Sequence, residues 1–207
     1  MSGALVRAVL AGHKTQTRRP IRDRWGESQP LPPHRCPFGV PGDRLWVRET
    51  WRPFCMRWSH GVEYREDREQ GRAFPRQDIT STNECMDLIL ATGGYFDGVP
   101  DVDAKFINHR WRPSIHMPRW ASRITLEVER VRVERVQDIT GADVLAEGVS
   151  QPWDGRGIEA AGGMTQEHET VLRARFRAVW DSIYGEGPCR SEANPWVWVV
   201  DFRRVAP

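Results

Sequence analysis

Leu5, Val6, Val9 and Leu10 recur at i, i+1, i+4 and i+5, the spacing of an amphipathic helix, and Gly12 is the residue type that closes one in a left-handed cap. Beyond Gly12 the period changes to two. Thr15, Thr17 and Arg19 would share one face of a short strand and Gln16 and Arg18 the other, with Lys14 at the turn, able to lean either way. Pro41-Gly42-Asp43 is a turn signal, after which Leu45, Val47 and Glu49 alternate against Trp46, Arg48 and Thr50 as in a half-buried strand. Ala121 to Val136 is the strongest strand candidate. Ile124, Leu126 and Val128 keep one phase, Val131 and Val133 the opposite one, and a β-bulge near Glu129 and Arg130 would reconcile them. Thr140 is the expected N-cap of a helix from Gly141 to Glu147 that stops at Gly148. A longer helix is expected from about Thr165 to Tyr184, with Leu172, Phe176, Val179, Trp180 and Ile183 on its apolar face. The last strand, Trp196 to Arg203, is apolar on both faces, as a central strand covered on each side would be.

Polar stretches separate these elements. Six prolines between 20 and 41 exclude a helix or a central strand there. Residues 52–119 are polar, Gly-rich and Pro-rich, and read as a long insertion within a single domain spanning 1–207. The expected class is α+β.

Composition narrows the chemistry. The formal charge is +2, with 30 basic and 28 acidic residues, so any basic surface must come from clustering. Arg18, Arg19, Arg22 and Arg24 form one cluster, and Arg110, Arg112, Arg119 and Arg123 frame Trp111 and Trp120 in another. Interleaved guanidiniums and indoles suit single-stranded nucleic acid, one group for phosphate and one for base stacking. Arg18, Arg19, Arg22, Trp46, Arg48, Trp111, Arg112, Arg119 and Trp120 are therefore the candidate nucleic-acid contacts. Lys14 and Lys105 are the only lysines in an arginine-rich chain. A lysine kept in that background points to a need for a deprotonatable amine, which arginine does not supply. The four cysteines have no CxxC spacing, which argues against a zinc knuckle and a disulfide scaffold, and no metal or cofactor is expected. No apolar run approaches the roughly 20 residues of a membrane span, so a cytoplasmic protein is expected.

The pattern Gly12-x-Lys14-x-x-Thr17-x-Arg19, the Pro41-Gly42-Asp43 turn with its strand, the central strand near Ile124 to Val136 and the closing strand resemble the ASCH domain family, a branch of the PUA-like barrels. The phrases from Pro41 to Trp51 and from Trp111 to Trp120 are similar to a phage and prophage subgroup. The resemblance implies a small mixed PUA-like β-barrel with helices at its edge. It also implies RNA or nucleotide binding in a pocket around Lys14, Thr17, Arg19 and Glu147. Family members that hydrolyse acetylated cytidine use a lysine and a threonine spaced as Lys14 and Thr17 are, and a glutamate in the helix after the central strand, where Glu147 stands. A catalytic set of Lys14, Thr17 and Glu147 acting on an acylated cytidine is thus the alternative. A ribonuclease using His13, His109 or His116 is a further one.

Overall fold

The computed structural model describes residues 3–22, 30–56, 59–65, 73–74, 111–149, 163–185 and 187–205. The protein is mixed α+β, with its strands in two antiparallel sheets. Its residues divide into two compact units, one made of 1–6 and 46–123, the other of 7–45 and 124–207. Helix α1 (Gly3–Leu10) buries Val6 and Val9, and Gly12 leaves it at φ 76°, the left-handed turn expected of that glycine.

The larger unit is built on a four-stranded sheet. Strand β1 (Gln16–Pro20) is followed by β2 (Arg44–Trp46). The smaller unit contributes β3 (Trp51–Met56), β4 (Ser59–Tyr64) and β5 (Ala73–Phe74) as a sheet in that order. Strands β6 (Thr125–Arg135) and β7 (Trp196–Val205) complete the first sheet, whose order is β1-β7-β6-β2. The closing strand is thus central, which is why both of its faces are apolar. Val197 and Val199 pack on one side with Val136, Ile139 and Val144 and with the helix stripe Leu172, Phe176 and Trp180. Trp198 and Val200 pack on the other with Ile21, Cys36 and Val128.

The register of β6 on β7 shifts between Val128 and Arg130, where the sequence places the bulge. Its effect is specific. Val128, Val131 and Val133 stand opposite Phe202, Val200 and Trp198, while Arg132 and Glu134 stand opposite Val199 and Val197. The extra residue therefore keeps the valines in one core and turns Arg132 and Glu134 to the helix-covered face.

Helix α2 (Gly141–Ala146) begins at the Thr140 cap and gives way to Gly148 at φ 76°. Helix α3 (Gln166–Tyr184) begins at the Thr165 cap. Its buried stripe is Leu172, Phe176 and Trp180, extended by the half-buried Tyr184, at a strict spacing of four. Val179 and Ile183, expected on that face, are 39% and 54% exposed because they sit on its flank. The strand expected through Glu49 ends at Trp46, though Val47 and Glu49 are buried beyond it. Most of the expected insertion at 52–119 lies outside the described residues.

Candidate functional site

Lys14 sits where α1 turns into β1. Its N–H donates to the Ala8 carbonyl at 3.0 Å, and the Thr15 N–H donates to the Ala146 carbonyl at 2.8 Å, tying this segment to the end of α2. That connection delivers Glu147, the C-cap of α2, to the lysine. Lys14 Nζ donates at 2.7 Å to Glu147 Oε2, at 2.7 Å to the Glu147 carbonyl and at 2.7 Å to the Gln16 carbonyl. All three ammonium protons are thereby used. Close packing enforces the arrangement, because a Cβ on Gly148 would lie 2.9 Å from the Cβ of both Ala8 and Lys14. Gly148→Ala should therefore cost about 2–3 kcal/mol, combining left-handed strain with displacement of Lys14. Urea denaturation checks this, and an unchanged midpoint would show that the lysine is not held by that contact.

Around the Lys14–Glu147 pair lies a charged cluster on one face of the sheet. Gln16 is registered with Asp201 across β1 and β7, and Arg18 and Arg132 flank Val199 from the two neighbouring strands. Arg18 Nη2 lies 3.1 Å from Glu134 Oε2 and 3.2 Å from Asp143 Oδ2, while its Nη1 donates to Gln16 Oε1. Gln16 Nε2 donates to Asp143 Oδ1 at 3.0 Å and to Asp201 Oδ1 at 2.7 Å. Arg132 binds Asp143 at 2.8 Å and also meets Glu134 and Asp201. Three cations thus face four carboxylates, a formal −1. Exposure is graded: the side chains of Lys14 and Arg18 are 1% and 0% exposed and that of Glu147 9%, whereas those of Asp143, Arg132, Asp201 and Glu134 lie between 18% and 25%.

The electrostatics follow from this enclosure. Burial pulls the Lys14 ammonium below its ordinary pKa, against the charge and hydrogen bond of Glu147, and the charges of Arg19 and Arg18 lower it further. Burial alone would raise the Asp143 carboxyl. Hydrogen bonds from Gln16 and Thr140 and the Arg18 charge outweigh it and hold that group at about 2. Glu147 Oε1 is buried, accepts no hydrogen bond among the described residues, and has Arg18 Nη1 at 3.7 Å. A buried carboxylate oxygen in this condition is a strong acceptor aimed at few donors.

The residues expected from sequence are distributed unevenly. Lys14 and Glu147 are brought together. Thr17 is registered with Val200, on the opposite face of β1 from Gln16 and Arg18. Arg18, expected as a phosphate contact, is buried among carboxylates instead. Arg19 is half-buried, its Nη1 3.5 Å from the Tyr184 hydroxyl, and Arg22 is exposed with its Nε donating to Cys189 Sγ at 3.1 Å. Trp46, Arg48, Trp111, Arg112 and Arg119 belong to the smaller unit, where guanidinium groups lie between 4.5 and 5.9 Å from indole ring centres. Trp120 falls in a single turn of 3-10 helix, Arg119–Ala121. His13 and His116 are exposed, and His109 lies outside the described residues. No cluster of metal-binding side chains occurs among the described residues.

Gln16, Arg132, Glu134, Asp143 and Asp201 are the members that sequence reasoning missed. One signal pointed to them. Asp201 interrupts the apolar strand Trp196–Val205, and a charge in a covered central strand needs a partner. No helix among the described residues is long and apolar enough to cross a membrane. No family model, curated protein or solved structure matches the chain.

Proposed function

We propose that this chain is a PUA-like protein of ASCH type that binds a nucleoside or nucleotide, free or within RNA, by its base at the Lys14–Glu147 cluster. The carrying observation is Glu147 Oε1, a buried acceptor without a hydrogen bond among the described residues, in a cluster of formal charge −1. Such a site favours a neutral group rich in N–H donors over a phosphate, because a phosphate would bring further negative charge against four carboxylates. An exocyclic base amine supplies that donor. The antiparallel sheet with its bulged strand and edge helices supports the barrel reading.

Titration calorimetry with the four ribonucleosides tests this. Cytidine, adenosine and guanosine, which carry an exocyclic amine, should bind at least about tenfold more tightly than uridine, the worth of one hydrogen bond to a charged acceptor. Glu147→Gln should erase that preference. Equal binding of uridine, or a preference that survives in Glu147→Gln, would defeat the assignment.

A second reading is hydrolysis of an acylated cytidine, favoured by the lowered pKa of Lys14. In that reading water, rather than Thr17, attacks the amide carbonyl, since Thr17 opposes Val200 on the other face. Lys14, its own proton first lost to solvent, takes a proton from the attacking water as the C–O bond forms and returns it to the leaving amine as the C–N bond breaks, while Glu147 accepts a hydrogen bond from that amine and orients it. Release of cytidine from an acylated form by wild type, lost in Glu147→Gln and retained in Thr17→Val, distinguishes it from binding alone.

A further inference from the structure

The smaller unit carries a second surface whose chemistry is opposite to that of the Lys14–Glu147 cluster. Two segments far apart in sequence, 46–52 and 111–123, are joined there. Trp51 and Arg112 exchange backbone hydrogen bonds at 2.8 and 3.2 Å, Ser122 Oγ donates to the Val47 carbonyl at 2.9 Å, and the Tyr64 hydroxyl donates to the Ala121 carbonyl at 2.8 Å. Beneath them Arg123 grips the fully buried Glu49 through two hydrogen bonds, at 3.0 and 2.7 Å. The surface above is therefore held in place before any partner arrives.

Arginines populate that surface. Arg48 lies 4.6 Å and Arg119 5.9 Å from the centre of the half-buried Trp46 ring, and Arg112 lies 5.8 Å from that of Trp51. Among the described residues none of these three has a carboxylate partner, in contrast to Arg18 and Arg132 of the other unit. Arg48 spends one N–H on the Ile115 carbonyl at 3.2 Å, and Arg48 and Arg119 are both exposed. The described residues of 46–123 hold six arginines against two glutamates, a formal +4; the remaining residues of that span lower its total to +1. Positive charge is thus concentrated on the two joined segments.

We infer that the face formed by Arg48, Trp46 and Arg119 binds single-stranded nucleic acid. A guanidinium lying near an indole turns its outer plane and remaining N–H groups to solvent, so one side chain offers a stacking face for a base and a fork for phosphate. Both functions recur along a single strand, whereas a duplex hides its base faces. The surface belongs to the smaller unit, and its assignment does not rest on the nucleoside site.

Fluorescence anisotropy of labelled oligouridine and oligothymidine with the full chain, across a salt series, tests the assignment. Both should bind, more tightly than a duplex of equal length, and more weakly as salt rises. Arg48→Gln/Arg119→Gln should weaken binding about tenfold and reduce the log–log salt slope by about 1.4, two phosphates at ~0.7 each on a single strand. Arg48→Lys/Arg119→Lys should restore that slope while recovering only part of the affinity. Arg203→Gln, which removes an exposed arginine of the larger unit, should leave oligonucleotide binding unchanged, which separates this surface from general surface charge. Absence of oligonucleotide binding by the wild type, or an unaltered slope in the glutamine pair, would overturn the inference. Displacement of the strand by poly-aspartate at equal charge concentration would also overturn it, in favour of an acidic protein partner.

Discussion

Lys14→Met should lower the stability of the unit that contains it by about 3–5 kcal/mol, the cost of stranding a buried charge by removing its partner. The lysine is 1% exposed, and its ammonium meets one carboxylate oxygen and two carbonyls at 2.7 Å. Methionine fills a similar volume but leaves Glu147 with Arg18 at 3.7 Å as its nearest cation and leaves two inward carbonyls without their donor. Lys14→Arg should not recover the loss, because a planar fork cannot direct three donors to three acceptors placed around a compact ammonium. Lys14→Met combined with Glu147→Leu should regain much of it, since the stranded charge is then gone. Urea denaturation followed by tryptophan fluorescence measures each variant. A loss below about 1 kcal/mol for Lys14→Met would place the pair with exposed ion pairs and contradict the enclosure described for it.

Arg123→Met should have an effect of similar size, about 3–5 kcal/mol, confined to the other unit. Glu49 is completely buried, and both of its carboxylate oxygens are bound by the Arg123 guanidinium, which also lies 4.0 Å from the centre of the Tyr64 ring. Burial already pushes the Tyr64 hydroxyl well above its ordinary pKa against the charge of Arg123, so losing that charge should push it higher. Hydrogen exchange provides the readout. Amides at 46–56 and 111–123 should lose protection, whereas those of the Trp196–Val205 strand should keep theirs. Equal loss in both sets would show that the two units unfold as one.

Local features were legible in the sequence because their causes are local. Gly12, Thr140, Gly148 and Thr165 each mark a helix end through their own backbone or side-chain chemistry. The phase change between Val128 and Val131 disclosed the bulge, and the two-sided apolarity of Trp196–Val205 disclosed a central strand. The family resemblance grouped Lys14 with Glu147, and their side chains meet at 2.7 Å, but the burial of Gln16 and Arg18 was not legible. Polar residues at alternate positions look like a solvated face until their partners are known, and those partners come from β6, α2 and β7. The same limit applied to α3. Val179 and Ile183 lie close enough to the Leu172–Phe176–Trp180 stripe to be counted with it, and only the placement of the sheet leaves them outside.

The pairing of β1 with β7 has a consequence for the order of folding. Gln16 and Asp201, whose side chains meet at 2.7 Å, are separated by 185 positions, so their contact closes nearly the whole chain into a loop. Contacts of such span carry a large closure entropy and form slowly compared with a helix or hairpin. The β6–β7 ladder and the α2 cap require shorter closures and can precede it. Gln16 and Arg18 enter on β1 and Lys14 just ahead of it, so all three wait on that longer closure. Until it docks, Glu134, Asp143, Glu147 and Asp201 have only Arg132 from the cluster's three cations to oppose their mutual repulsion. The segment around β1 is therefore expected to dock late, neutralising an acidic surface that the rest of the sheet assembles first.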